Sequence, residues 1–394
     1  MSSPTRTRRV LGAIGAAATA AALTVSLTPA TAQAQPAPGS ISPEQLANDG
    51  LGAVLSPESL SQLLYFGNFP GSSGSSMMGL ANAFGFSPNL FAGDPPPAPR
   101  PNPDITETTV IGKEVDGRYE RWLIDSHRMQ RGITVEVYRA PEGGGPAPSL
   151  YLLDGVGSEL PSGFMQWGAA EQFADQNVNL IIPTGGQGSM WADWNEPDPV
   201  LGISKWEAFI TEDLPALVEP ELGTNGKRGI GGISMGAGAA VTMATRNPDL
   251  YQGVFGVSGC YSTDALGQIL TRFTVESRGA TLTNMWGEPG TEQWAAHDAL
   301  MNAEQLRGMG IYLSSGTGVA TPGDWDDYNH DALDFVAGMA LEQATDRCTW
   351  DADRRLDELG IDAEVVHHPV GLHNWSYYSP EIPRAWTSIR GALQ

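Results

Sequence analysis

A mostly parallel β-sheet covered by helices on both faces, preceded by a Pro-rich N-terminal extension, is the α/β class this sequence predicts. Three observations carry the prediction. From Glu107 onward, short β-branched runs alternate with helical patterns, the rhythm of β-α units. A Gly-x-Ser-x-Gly pentapeptide joins one such run to a small-residue helix. The chain has 394 residues, 41% apolar and 17% charged, which is ample for a full core.

The N-terminus reads as an export signal over residues 1–34. Arg8-Arg9 precede an Ala/Leu/Val run to Leu27, and small-residue sites follow at Ala30-Thr31-Ala32 and Ala32-Gln33-Ala34. The paired arginines leave the twin-arginine route open, and the expected location is secreted or in the cell envelope. Residues 35–105 are a Pro/Gly/Ser-rich extension ending in the stiff run Pro95 to Pro103, with a short helical pattern between Pro43 and Phe66. The main domain is expected over 106–394.

Within that domain the expected strands are 133–138, 149–153, 178–183, 227–233, 253–258, 311–315 and 363–367. Helices are expected over 169–174, 206–219 and 235–246, and over a long stretch from Ala332 through Leu359. Asn247-Pro248-Asp249 closes the third helix, because proline cannot extend it.

Charge and cysteine content narrow the function. Twenty-two Lys and Arg stand against 45 Asp and Glu, so nucleic acid is excluded as a partner. The two cysteines, Cys260 and Cys348, are expected to pair in an oxidising compartment. No metal and no organic cofactor is expected, since no His/Cys cluster has ligand spacing and no glycine loop precedes a Lys-Ser/Thr pair.

The chemistry centres on Gly232-Ile233-Ser234-Met235-Gly236. A strand-like run precedes it, and Ala237, Gly238, Ala239 and Ala240 follow, the setting of a nucleophile elbow in the α/β-hydrolase fold. Such a turn strains the serine backbone and needs small neighbours to let strand and helix approach. Ser234 is the candidate nucleophile, and the Met235 amide at the helix N-terminus is a candidate oxyanion donor. A second donor, the Val156 amide, is expected in the turn Leu152-Leu153-Asp154-Gly155-Val156. This fold orders its triad as nucleophile, acid, histidine. His373, in the loop after the last strand, is the expected base, whereas His367 and His368 fall inside or at the end of the strand and are expected to be packed or surface residues. Two sources of the acid remain open at this point: the loop carrying Asp324, Asp326 and Asp327, which topology favours, and Glu342 on the following helix.

Six motifs, four of them Trp-bearing, then occur in one order: Tyr151-Leu152-Leu153-Asp154-Gly155, Pro183-Thr184-Gly185-Gly186-Gln187, Ala192-Asp193-Trp194, Lys205-Trp206-Glu207, Asn284-Met285-Trp286-Gly287 and His373-Asn374-Trp375. On these, residues 105–394 resemble the secreted mycolyltransferases of the antigen 85 type from mycolic-acid-bearing actinobacteria. The resemblance implies that Leu341-Glu342-Gln343-Ala344-Thr345-Asp346-Arg347 supplies the acid, so the triad becomes Ser234, Glu342 and His373. It also implies that Asp154 and Trp375 line a sugar site. The implied reaction moves a mycolyl group from trehalose monomycolate to a second such molecule or to arabinogalactan. Gly157 stands where the family carries an arginine, and residues 158–163 replace a stretch that helps to hold trehalose. A carboxylesterase or thioesterase using water, and a non-catalytic extracellular binding protein, are the two alternatives.

Overall fold

The computed structural model describes residues 99–394. The export signal, the 43–66 helical pattern and the extension up to residue 98 lie outside the described residues. Nine strands form one sheet in the order β1-β2-β3-β5-β4-β6-β7-β8-β9. They are β1 (Thr109–Asp116), β2 (Tyr119–Ser126), β3 (Arg131–Tyr138), β4 (Ala147–Leu153), β5 (Asn179–Pro183), β6 (Thr224–Ile233), β7 (Gly253–Val257), β8 (Gly310–Ser315) and β9 (Glu364–His367). Strands β1 to β3 and the β3–β5 pair are antiparallel, and every pair from β5 across to β9 is parallel. Strand order reverses between β4 and β6, and the crevice beyond the C-terminal ends of such neighbours is where open α/β sheets bind ligands.

Alternation along the strands explains why both faces carry helices. In β4, Tyr151 and Leu153 face one core, while Leu150 and Leu152 face another. The first core takes Ala237, Ala240, Val241 and Ala244 from α3 (Met235–Arg246), Leu214 and Val218 from α2 (Leu214–Leu222), and Ala352 and Leu356 from α5 (Ala332–Leu359). The second takes Phe164 from α1 (Gly163–Gln166) and Tyr378, Ile382, Ala385 and Ile389 from α6 (Trp375–Ile389). Each fully buried Leu, Ile or Phe in these layers contributes roughly 1.5–3 kcal/mol. A third cluster, with Trp194, Trp286, Trp294 and Met285, gathers two of the Trp motifs. The remaining helix needed below is α4 (Ala265–Ser277), whose start Asp264 caps by accepting from the Gly267 amide.

Several parts differ from the sequence reading, including helices α4 and α6, which it did not expect. The β1–β2 hairpin is an addition, closed at Gly117-Arg118 with Asp116 paired to Tyr119. The 206–219 helix runs instead to Leu222 and widens into a π turn over Phe209–Asp213, just before Pro215, which has no N–H to continue the regular ladder.

Candidate active site

Ser234 sits between the end of β6 and the start of α3 with φ 52° and ψ −121°. That is a strained conformation for a residue with a side chain, held because its neighbours leave no alternative. A Cβ on Gly236 would stand 2.0 Å from the Leu153 carbonyl oxygen, and one on Gly232 would stand 2.4 Å from the Gly236 backbone. The two glycines of the pentapeptide are therefore steric necessities. The Ser234 amide donates to the Val257 carbonyl at 2.9 Å, pinning the bend to the adjacent strand.

The hydroxyl lies 2.8 Å from His373 Nε2, and His373 Nδ1 lies 2.8 Å from Glu342 Oε2. With the Nδ1 proton donated to the carboxylate, Nε2 is left to accept the serine hydroxyl. Glu342 is fully buried and its charge is matched by donors. Oε1 accepts from Ser258 Oγ and from the Gly316 amide, both at 2.7 Å, while Thr345 Oγ1 reaches Oε2 at 3.4 Å. His373 is also held by its backbone. Its amide donates to the Gly338 carbonyl at 3.2 Å and its carbonyl accepts from Tyr328 Oη at 3.0 Å.

Topology had favoured the loop aspartates as the acid, and the geometry corrects that expectation. Asp324 Oδ2 accepts from Thr321 Oγ1 at 2.9 Å, and Asp326 pairs with His330 at 2.8 Å, so both serve their own loop. The glutamate reaches the imidazole because α5 passes behind the histidine loop. His367 and His368 pack as expected: His367 bonds Asp346 at 3.0 Å and stacks on Trp350, and His368 lies 3.1 Å from Glu381.

Val156 and Met235 line the same cavity as Ser234 and His373. Met235 is the first residue of α3, so its amide has no carbonyl one turn back to pair with. The Val156 peptide is fixed from behind by the Gly188 amide, which donates to its carbonyl at 3.2 Å. Asp154, beside it, accepts from the Gly155 amide at 2.8 Å and the Gly163 amide at 2.7 Å. Burial pushes its carboxyl up to about 6, against the pull of those two amides. Asp154 thus anchors the 155–163 turn at the cavity floor, with both oxygens engaged. Trp375 opens α6, lies edge-on to Phe164 (5.4 Å, 82°) and is near-parallel to Trp167 (6.4 Å, 11°). The cavity these residues enclose measures about 810 Å³.

Cys260 and Cys348 are bonded, with 4.9 Å between their Cα atoms. Cys260 lies three residues past the end of β7, and it forms part of the cavity wall. The bridge joins that wall to α5, six residues beyond Glu342. Sequence reasoning missed Ser258, Tyr328 and Gly338. Ser258 had one weak signal, a serine before glycine at a strand end; its φ of 54° matches its place in a tight turn.

The Esterase family profile matches residues 126–389, two thirds of the chain. The chain belongs to the Esterase family. Among curated relatives of this esterase, diacylglycerol acyltransferase/mycolyltransferase Ag85A of Mycobacterium tuberculosis is 28% identical over 281 residues, covering 68% of the chain and 80% of the relative. The Ag85B protein of Mycobacterium leprae is 25% identical over 283 residues, covering 68% and 83%. The antigen 85-type resemblance is thereby borne out, and the esterase is an enzyme of acyltransferase/esterase chemistry. In fold it is similar to Mycobacterium tuberculosis MPT51, with a TM-score of 0.60 at 22% identity over 71% of this chain and 100% of that one. It is also similar to an S-formylglutathione hydrolase from Agrobacterium tumefaciens, with a TM-score of 0.56 at 16% identity over 73% and 100%.

Proposed function

We propose that this esterase is an exported serine acyltransferase that carries a long acyl group on Ser234 from one sugar ester to another sugar hydroxyl. The observation that carries the reading is the unbroken Ser234-His373-Glu342 hydrogen-bond relay opening into a large cavity. As Ser234 Oγ attacks the ester carbonyl, His373 Nε2 takes its proton and Glu342 holds the resulting imidazolium. The Met235 and Val156 amides receive the oxyanion. Collapse expels the donor sugar, which leaves with the proton from His373, and the acyl-serine remains. A second hydroxyl, deprotonated by the same imidazole, takes the acyl group and frees Ser234.

The named activity of the Ag85 relatives supports trehalose monomycolate as donor, and a second such molecule or arabinogalactan as acceptor. The Arg8-Arg9 signal supports release to the cell envelope. Water in place of the second hydroxyl would make the same relay a simple esterase, a reading the family assignment favours equally. Mass analysis of Ser234 after incubation with an envelope lipid extract tests the acyl-enzyme. Products of an acyl ester with and without trehalose then separate transfer from hydrolysis. The expected result is an adduct on Ser234, absent in Ser234→Ala, and an acylated trehalose; free acid alone would select the hydrolytic reading.

A further inference from the structure

The cavity over Ser234 carries charge of one sign. Glu159 from the turn after β4, Asp327 from the segment leading into α5, Asp334 from the first turn of α5, and Asp154 all line it, and no Lys or Arg is among the described lining residues. Nearby cations are engaged elsewhere: Arg272 of α4 pairs with Glu276, and Arg347 of α5 with Asp351. The rest of the lining combines uncharged polar groups, such as Gln166, Thr274 and Asn329, with apolar or aromatic ones such as Leu270, Leu341 and the half-exposed Trp167. The chain as a whole is acidic, with a formal net charge of −23.

We propose that this cavity selects uncharged reactants, admitting neutral acyl esters and polyol acceptors and turning away anionic ones. The inference rests on the acyl-Ser234 reading and names its substrate class. A cleft walled by low-dielectric side chains focuses the field of its charges, so a carboxylate, phosphate or sulfate approaching Ser234 is repelled before it docks. The chemistry of the wall acts in the same direction. Carboxylates only accept hydrogen bonds, so they are satisfied by hydroxyl donors and left unmatched by another anion. Anionic thioesters, such as those of glutathione or a nucleotide-bearing carrier, are excluded on both grounds. Neutral glycolipids and free sugars meet acceptors for their hydroxyls and apolar surface for their chains.

The test compares two esters of one leaving group, p-nitrophenyl butyrate and p-nitrophenyl hemisuccinate, in the wild-type chain and in Glu159→Gln/Asp327→Asn/Asp334→Asn. At low ionic strength the neutral ester is expected to show a kcat/KM at least about tenfold higher than the anionic one. Raising the salt to about 0.5 M, or neutralising the three side chains, is expected to narrow that ratio severalfold. Equal turnover of both esters at low salt overturns the proposal, as does a preference that neither salt nor the triple variant alters, since that would be steric. Labelling of Ser234 by matched neutral and anionic phosphonate esters reads the same selection without turnover. If neither phosphonate labels Ser234, the acyl-serine reading itself fails; if both label at equal rates, only the selection does.

Discussion

Tyr328 contributes one hydroxyl to the site, and that hydroxyl holds the His373 carbonyl while Gly338 holds the His373 amide. The phenol sits against α5 so closely that a Cβ on Gly338 would lie 1.9 Å from its oxygen. Tyr328→Phe is expected to lower kcat by about 2- to 10-fold with KM little changed, the cost of one buried hydrogen bond. Steady-state kinetics on a neutral ester checks the split. Ser258→Ala removes a donor from a buried charge, for which about tenfold in kcat is expected; an unchanged kcat would mean that the Gly316 amide suffices. Asp154 gives a pH signature. Its folded carboxyl titrates near 6 against an ordinary 3.8, so between those values the folded state holds a proton that the unfolded state has lost. Its contribution to stability is complete below pH 3.8 and declines as pH climbs through 6. Melting curves from pH 4 to 7 are expected to show this decline relative to Asp154→Asn; parallel curves would show that the shift is absent.

Helix α5 carries Gly338, Glu342 and Cys348 on one continuous rod, so acid, histidine clamp and disulfide share a single rigid support. Reduction of Cys260–Cys348 is expected to lower activity at temperatures where the sheet is still folded, and to reduce stability by about 2–4 kcal/mol. Parallel activity and circular dichroism melts in reductant check the order, and simultaneous loss would deny the bridge a positioning role. This helix was legible in the sequence to its last residue, as was α3, because both keep an unbroken pattern between clear stops. The acid on it was not legible from spacing alone. Glu342 is one carboxylate in the middle of a helix, while three aspartates crowd the loop where this fold more often keeps its acid, and only the antigen 85 resemblance separated them. The β1–β2 hairpin escaped for a different reason. Strand β1 exposes Ile111 and Val115 and carries Lys113 and Glu114, so it lacks the alternation of a half-buried strand, although Asp116-Gly117 is a turn signal. Helix α6 was hidden by Pro380 and Pro383, which it contains.

Across the whole molecule, the antiparallel edge built by β1 to β3 leaves the parallel half of the sheet to present its C-terminal ends, where Ser234, Ser258 and His373 converge. The sequence foretold the meeting of Ser234 and His373, though not Ser258, because chain order and strand-helix alternation together restrict the topology. It could not foretell the cavity's charge, which comes from turns far apart in the chain. Changing Arg8 and Arg9 to Lys is expected to retain the protein inside the cell if it travels folded by the twin-arginine route. Fractionation of cells checks it, and undiminished export would assign the general secretory route.

Gly157 occupies open space: a Cβ added there would meet nothing within 4 Å. The position at which antigen 85-type enzymes keep an arginine is therefore vacant rather than filled by other packing. The open space at its Cβ makes residue 157 a natural dial for retuning what the enzyme accepts.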